Sequence, residues 1–200
     1  MPCGEKKPLK IGLTGPPAAG KSTILKAFED LGFPVFSADE VVRRLSRPCK
    51  EGYHRLVKAF GEEILSASGE LNRHLILRKM LEDSGFKRKL EDLLHPLVKK
   101  ELLSWLESEG DAPLKVAEIP LLFQAGWEGI FDMIIFVSCP REILLKRLKD
   151  RLGDEHLAQA LLRTYEKELP EIKKAFVLSG TLPENQLRQK ISEIISKAGL

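Results

Sequence analysis

Residues 14–23 of the chain, which read TGPPAAGKST, carry the side chains whose types and spacing point most directly to chemistry. Gly15, Gly20, Lys21 and Ser22 fit the pattern G-x-x-x-x-G-K-S/T, in which the backbone N–H groups of a glycine-rich loop hold phosphate groups. In such a loop Lys21 contacts the β- and γ-phosphates, and the Ser22 hydroxyl is a ligand of Mg²⁺. The pattern therefore predicts a site for ATP or a similar nucleotide together with Mg²⁺.

Two prolines limit which backbone groups of this loop can bind phosphate. Pro16 and Pro17 have no N–H group to donate, so the residues after them must supply most of the donors. These residues are Ala18, Ala19, Gly20, Lys21, Ser22 and Thr23. The segment follows the strand-like KIGLT and precedes the helical STILKAFEDLG, so the positive end of a helix would face the anion. The alternative is a turn between a strand and a helix that binds nothing.

A carboxylate follows the next apolar segment, FPVFSAD, at Asp39. If this segment forms a strand that lies beside the first strand of a parallel sheet, Asp39 will be at the edge that carries the loop. There Asp39 could orient an acceptor hydroxyl and take its proton, as in a small-molecule kinase, or it could only cap the helix that begins here. Arg43, one helical turn later, could hold an anionic part of the acceptor or could be a solvated surface arginine.

Five short apolar segments would position these residues, namely 11–14, 35–38, 116–119, 134–138 and 175–178. They alternate with helical patterns, which indicates βα units and therefore an α/β fold with a parallel sheet. Residues 40–112 contain too much helix for one crossover, so we expect a helical insertion over the strand ends. We find no repeat or flexible linker, which favours a single domain.

The ends of two helices can be predicted from glycine and proline. Gly32 should end the helix that begins at Lys21, and Gly110 with Asp111 should end the long helix that contains Pro96. Pro96 should kink or restart that helix near His95.

Charge and cysteine content exclude several classes of function. With 32 Lys and Arg against 29 Asp and Glu, the net charge of +3 is too small to indicate a nucleic acid or a membrane as partner. We see no targeting segment and no apolar stretch long enough to cross a bilayer. Cys3, Cys49 and Cys139 lack metal-ligand spacing, which favours reduced thiols in a cytoplasmic protein.

Longer segments of the chain resemble the dephospho-coenzyme A kinase family. The resemblance rests on IGLTGPPAAGKSTILKAFEDLGFPVFSADEVVRRL, LEDLLHPLVKKEL, PLKVAEIPLLFQAG and FDMIIFVSCPREILLKRLKDR, and it extends from about residue 9 to residue 195. It implies a three-layer phosphate-loop kinase fold with a five-stranded parallel sheet, helices on both faces, a helical acceptor-binding insertion and a lid. It also implies transfer of the ATP γ-phosphoryl group to the ribose 3′-hydroxyl of dephospho-coenzyme A.

Two other functions remain open at this point. An adenylate, shikimate or gluconate type of kinase would share the loop and the core but lack the segments LLHPL and IPLLF. A catalytically weakened, regulatory nucleotide-binding homologue would account for changes in the lid, although Lys21, Ser22 and Asp39 are all retained. For each function we expect a monomer or a weak homo-oligomer.

The resemblance divides the chain into a core of residues 9–39, 113–140 and 175–195, an insertion of residues 40–112 and a lid of residues 147–174. Asp39 matches the family's catalytic aspartate, and Arg43 matches the arginine that follows it. Arg73 and His95 match positions beside the acceptor, although a histidine before a proline is as often a packed residue.

The remaining matched positions lie near the phosphates. Glu118 falls where an acidic residue could hold Mg²⁺ through water, or it could cap the following turn. Arg147 and Arg151 lie at the start of the lid, where arginines offset charge in the transition state, and we favour Arg151 for this role over an exposed helical face.

The chain departs from the family pattern at several positions. Ser37 replaces an aspartate, Gln124 a glutamate, and Pro16, Pro17 and Ala18 replace Gly-Ile-Gly. In the adenine and lid segment Tyr165 or a neighbour replaces a glutamine, Phe176 replaces an aspartate, and no asparagine precedes Gly180. Lys173 and Lys174 could supply lid charge. These changes predict lower activity or a relaxed nucleotide preference.

Overall fold

The computed structural model describes residues 7–172 and 174–197. Cys3 and Lys173 lie outside the described residues. No helix within the described part of the chain is both long and apolar enough to cross a membrane.

Five parallel strands form one sheet in the order β2-β3-β1-β4-β5, which confirms the predicted α/β fold. The strands are β1 (Leu9–Thr14), β2 (Val35–Ser37), β3 (Leu114–Glu118), β4 (Met133–Ser138) and β5 (Phe176–Ser179). The second strand ends one residue earlier than predicted because Ala38 already begins a helix. The central strand, β1, leads into the phosphate loop. The prediction that the second strand lies beside the first is wrong, because β3 lies between β2 and β1.

Eight helices are described around the sheet. They are α1 (Lys21–Asp30), α2 (Ala38–Leu45), α3 (Glu51–Phe60), α4 (Arg73–Glu82), α5 (Ser84–Glu107), α6 (Arg141–Leu152), α7 (Glu155–Glu168) and α8 (Glu184–Lys197). Short 3-10 turns occur at Glu62–Ile64 and Glu128–Ile130. Helices α2 to α5 all lie between β2 and β3 in the chain.

The alternation of side chains along the strands fills a separate apolar core on each face of the sheet. Leu114 and Val116 of β3 pack on one face with residues of α1, α6, α7 and α8, whereas Ala117 packs on the other with residues of α2 and α5. A third cluster, centred on Leu56 and Leu90, joins α3 to α5. Helices on both faces give the three layers that the fold prediction required.

The long helix α5 differs from its prediction at two points. A kink or a restart was predicted near His95, and the restart is wrong because the helix runs through Pro96 without interruption. Asp92, whose carbonyl loses its usual donor to the proline, is exposed and can bond water instead. The helix also ends at Glu107, before Gly110, because the buried Lys115 donates hydrogen bonds to the carbonyls of Trp105 (3.0 Å), Leu106 (3.2 Å) and Ser108 (2.6 Å).

Helix α1 ends as predicted. Its last residue is Asp30, and Gly32 adopts a φ of 87°, a left-handed conformation that favours glycine.

Candidate nucleotide and acceptor site

The phosphate loop joins β1 to α1 through backbone conformations that restrict its residue types. Gly20 has a φ of 102° directly before α1. A Cβ atom on Gly15 would lie 2.5 Å from the carbonyl oxygen of Val137, so no larger residue fits there. Ala18, where the family has glycine, holds a φ of 63°, a region that costs an alanine about 1 kcal/mol. The loop geometry is thus retained despite its unusual sequence.

Lys21 is drawn back onto the loop itself. Its Nζ donates hydrogen bonds to the carbonyl oxygens of Gly15 (3.0 Å) and Pro16 (2.9 Å), and the residue is only 6% exposed. Burial lowers the pKa of Lys21. The negative charges of Glu118 and Asp39 act in the opposite direction, and the positive charge of Arg151 lowers the pKa of Lys21 further. These charged groups are therefore close enough to act on one another, as a phosphoryl-transfer site requires.

Glu118 lies at the end of β3, paired with Leu13 of β1 and with Ser37 of β2. It is 3% exposed, and its carboxylate oxygens accept from the Ser22 hydroxyl at 3.4 and 3.5 Å. Burial raises the pKa of Glu118, while Lys21 lowers it.

The oxygen donors of Ser22 and Glu118 fit Mg²⁺. This ion binds few protein ligands and fills its remaining positions with water and phosphate oxygens. Within the part of the chain that is described, no three His, Cys, Asp or Glu side chains cluster as a dedicated metal site. The residues present are therefore suited to an ion that arrives with a nucleotide.

Asp39 is not the cap of the helix in which it lies. The N-cap of α2 is Ser37, whose hydroxyl oxygen accepts the N–H of Glu40 at 3.4 Å. Serine and aspartate are equally good N-caps, which explains why Ser37 can stand where the family pattern has aspartate. Asp39 is exposed and lines both of the cavities described next, so its carboxylate is available for another task.

A cavity of about 690 Å³ opens over the loop. Every residue predicted to bind the nucleotide lines it, from Gly15 and Ala18 through Thr23, and Asp39, Glu118, Arg147 and Arg151 line it as well.

The far wall of this cavity was missed by the sequence reasoning. It consists of Leu77, Met80 and Leu81 from α4, Lys87 from α5, and Leu161, Thr164, Tyr165 and Glu168 from α7. The apolar spacing in LILRKML was visible in the sequence, but such spacing predicts burial and does not say what the buried face contacts.

Three predicted acceptor residues occupy different places. Arg43 lines a second, smaller cavity of about 310 Å³ together with Asp39. Arg73 is exposed at the start of α4, and His95 lies on α5; neither lines one of these two cavities. The ring of His95 packs edge-on against Trp127 at 5.7 Å, and burial lowers its pKa, which agrees with the packing alternative.

Arg147 of α6 contacts both the phosphate loop and the residue that follows β5. Its Nη1 donates to the carbonyl oxygen of Ala18 at 3.1 Å and approaches that of Gly180 at 3.5 Å. Gly180 in turn packs so closely on the loop that a Cβ atom there would lie 1.6 Å from the carbonyl oxygen of Ala19. The sequence had not indicated that this glycine completes the loop.

Two departures from the family pattern lie side by side. Gln124 and Tyr165 are neighbours, since the amide of Gln124 partly offsets the rise that burial causes in the pKa of Tyr165. The polar atoms of both side chains are buried. Phe176, by contrast, is 42% exposed on β5. The departures from the family pattern therefore include one buried pair, Gln124 and Tyr165, and one exposed aromatic ring, Phe176.

The chain is similar to a known family of proteins over most of its length. The model of the family described as CoaE, Dephospho-CoA kinase, matches residues 9–175. A dephospho-CoA kinase of Geobacillus kaustophilus is 37% identical over 147 residues, which are 72% of this chain and 73% of that protein.

Two solved structures are also similar to the chain. TT1252 from Thermus thermophilus has a TM-score of 0.76 and 29% identity, over 96% of this chain and 98% of that one. A dephospho-CoA kinase from Campylobacter jejuni has a TM-score of 0.61 and 26% identity, again over 96% and 98%.

Proposed function

The chain belongs to the dephospho-CoA kinase family and phosphorylates dephospho-CoA to CoA, and we propose that Asp39, Lys21 and Arg151 carry this reaction at the larger cavity. ATP binds through the backbone donors of the phosphate loop and Thr23. The acceptor is placed with its ribose 3′-hydroxyl at Asp39.

In the proposed mechanism the Asp39 carboxylate orients the 3′-hydroxyl and accepts its proton. The hydroxyl oxygen forms a bond to the γ-phosphorus, and the bond from that phosphorus to the β,γ-bridging oxygen breaks, which releases ADP. Lys21 exchanges the carbonyls of Gly15 and Pro16 for the β- and γ-phosphates. Arg151 offsets negative charge that develops during transfer.

Ser22 and Glu118 would hold Mg²⁺, Ser22 directly and Glu118 through water. The ion neutralises phosphate charge when it is bound with ATP. Because the Glu118 carboxylate already accepts from the Ser22 hydroxyl, these two side chains are positioned to act together. Arg43, in the adjoining cavity, is suited to an anionic part of the acceptor.

The observation that carries this proposal is the freedom of Asp39. Ser37 caps α2, which leaves the Asp39 carboxylate exposed in a cavity that also contains Lys21 and Ser22. A carboxylate used only for helix capping would not be free to accept a proton.

The test measures release of ADP by the purified protein with Mg-ATP, with and without dephospho-coenzyme A. AMP, shikimate and gluconate serve as competing acceptors. We expect release to depend on dephospho-coenzyme A and to give a product with the mass of coenzyme A.

Asp39→Asn should lower kcat about a hundredfold or more, because a positioned acid–base group contributes about 10² to 10⁴ in rate. Asp111→Asn, which changes an exposed carboxylate that lines neither cavity, is the matched control and should leave kcat unchanged. An Asp39→Asn enzyme with the wild-type kcat would remove Asp39 from the mechanism.

A further inference from the structure

Lys87 is an unusually sheltered lysine on the wall of the catalytic cavity. It extends from α5 and forms an ion pair with Glu168, the last residue of α7, and its Nζ lies 3.7 Å from Oε1 of Glu91. Its side chain is 14% exposed, whereas the lysines of the other ion pairs described are 31% to 62% exposed. The pair therefore differs from the surface ion pairs, which contribute little.

The surroundings of Lys87 explain why it needs a partner. Leu77, Met80 and Leu81 of α4 and Leu161 of α7 line the same cavity. An ammonium group beside apolar side chains is costly unless a negative charge accompanies it. Glu168 supplies most of that charge in the structure, with Glu91 farther away, and an anionic ligand could replace Glu168 in this role.

The other cations of the cavity lie at or near the phosphate loop. Lys21 and Arg147 bind carbonyl oxygens of the phosphate loop, and Arg151 is close enough to lower the pKa of Lys21. Lys87 differs from these three cations because it comes from α5. Among the described residues that line the cavity, it is the cation that does not act on the phosphate loop.

The anionic part of the acceptor is its diphosphate, whose two phosphate groups must be accommodated by Arg43 of the adjoining cavity and by a cation of the larger one. Dephospho-coenzyme A carries its reacting hydroxyl on a ribose whose 5′-carbon bears a diphosphate, followed by a long arm with apolar portions. A charged phosphate that enters a partly apolar cavity needs a cation within hydrogen-bonding reach. The loop cations are engaged by ATP during the reaction.

We propose that Lys87 binds the diphosphate of the acceptor and that Glu168 occupies Lys87 until the acceptor displaces it. This inference rests on the function proposed above. The exchange keeps the ammonium group paired at every stage, first with a carboxylate and then with phosphate oxygens. It makes Glu168 a competitor of the substrate, and Lys87 a determinant of acceptor specificity.

If Glu168 and the acceptor compete for Lys87, removal of Lys87 and removal of the Glu168 charge should change acceptor binding in opposite directions. Loss of Lys87 removes the cation, so the KM for dephospho-coenzyme A should rise. Loss of the Glu168 charge removes the nearer competitor and leaves only Glu91, at 3.7 Å, so the same KM should fall. A salt bridge that only joined α5 to α7 would lose the same contact in either variant, and both changes would act in the same direction.

The experiment measures KM for dephospho-coenzyme A and for ATP in Lys87→Met and in Glu168→Gln. We expect the first variant to raise the acceptor KM about ten- to a hundredfold, the range for loss of a charge-assisted hydrogen bond. The second should lower it about two- to fivefold, a smaller change because Glu168 is itself partly solvated. The KM for ATP should stay within about twofold of the wild-type value in both variants, since neither residue is on the loop.

Two further variants keep the test interpretable. Lys87→Arg retains the charge and should restore most of the acceptor affinity even if Lys87→Met is less stable. Lys190→Met removes the lysine of an exposed ion pair with Glu193, at 2.7 Å on α8, and should leave both KM values unchanged.

An acceptor KM that is unchanged in Lys87→Met, or that rises in both Lys87→Met and Glu168→Gln, would overturn the proposal while the wild type remains an active kinase. A wild-type enzyme that does not phosphorylate dephospho-coenzyme A would instead refute the proposed function, and this inference with it.

Discussion

Replacing Gly180 with alanine should weaken ATP binding, because the added methyl group would collide with the phosphate loop. The new Cβ atom would lie 1.6 Å from the carbonyl oxygen of Ala19 and 2.9 Å from Cγ1 of Val137, whereas ordinary contacts begin at 3.4 Å. Either the loop or the segment after β5 must therefore move by well over 1 Å.

Neither partner can move without losing hydrogen bonds. The N–H of Gly180 donates to the carbonyl of Ser138 at 2.8 Å, which ties it to the end of β4. On the other side, Arg147 holds Ala18 and the N–H of Ala19 donates to Pro16 at 3.2 Å. Overpacking of this kind costs about 1–3 kcal/mol. If the loop yields, that cost corresponds to about a five- to a hundredfold rise in the Kd for ATP.

Calorimetric titration with Mg-ATP measures this Kd, and thermal unfolding shows how much of the cost falls on the apo protein. Gly129→Ala is the matched control, because a Cβ atom at Gly129 would have no neighbour within 4 Å and its φ is not in the left-handed region. A Gly180→Ala protein with wild-type ATP affinity and wild-type Tm would refute the view that this backbone contact shapes the loop.

Two other predictions concern residues beneath the site. Ser37→Ala should lower the free energy of unfolding by about 1 kcal/mol through loss of the N-cap, which is about 2–4 °C in Tm for a chain of this size. Ser37→Asp should keep the cap and the stability. Equal losses for the two variants in calorimetry would exclude the capping role. Burial raises the pKa of Glu118 above its ordinary value of 4.5, so the folded state binds this proton more tightly than the unfolded state does. The apo protein should therefore lose stability as the pH rises from 4.5 through the raised pKa. Glu118→Gln should be less sensitive over that range in parallel unfolding scans, and curves of identical shape would contradict the sign of the effect.

The parts of the site that lie in one short segment could be predicted from the sequence. The loop pattern between Gly15 and Ser22 identifies a phosphate loop by itself, and the apolar residues before Asp39 identify a strand of a parallel sheet. Strand β2 does not lie beside β1 as predicted, because β3 lies between them, but the corresponding ends of all strands of a parallel sheet meet at one edge.

The parts that depend on distant packing could not be predicted. Nothing in GFKRKL distinguishes Lys87 from its neighbours Arg88 and Lys89, because only the meeting of α5 with α7 brings Lys87 to Glu168. The end of α5 at Glu107 depended in the same way on the distant Lys115, which binds the last carbonyls of the helix. Propensity rules describe isolated segments and are overridden by such tertiary contacts.

The close approach of Gly180 to Ala19 also has a consequence for the order in which the protein can become active during its synthesis. The loop is translated early, but it needs β3 and β4 beside β1, and then the backbone at Gly180, before its geometry is complete. Contacts between residues so far apart in the chain form late, since loop closure must precede them. A nascent chain that has emerged only as far as β4 therefore carries the nucleotide-binding sequence without the shape that binds a nucleotide. Truncations that stop before residue 180 should be poor ATP binders even where the remaining strands associate.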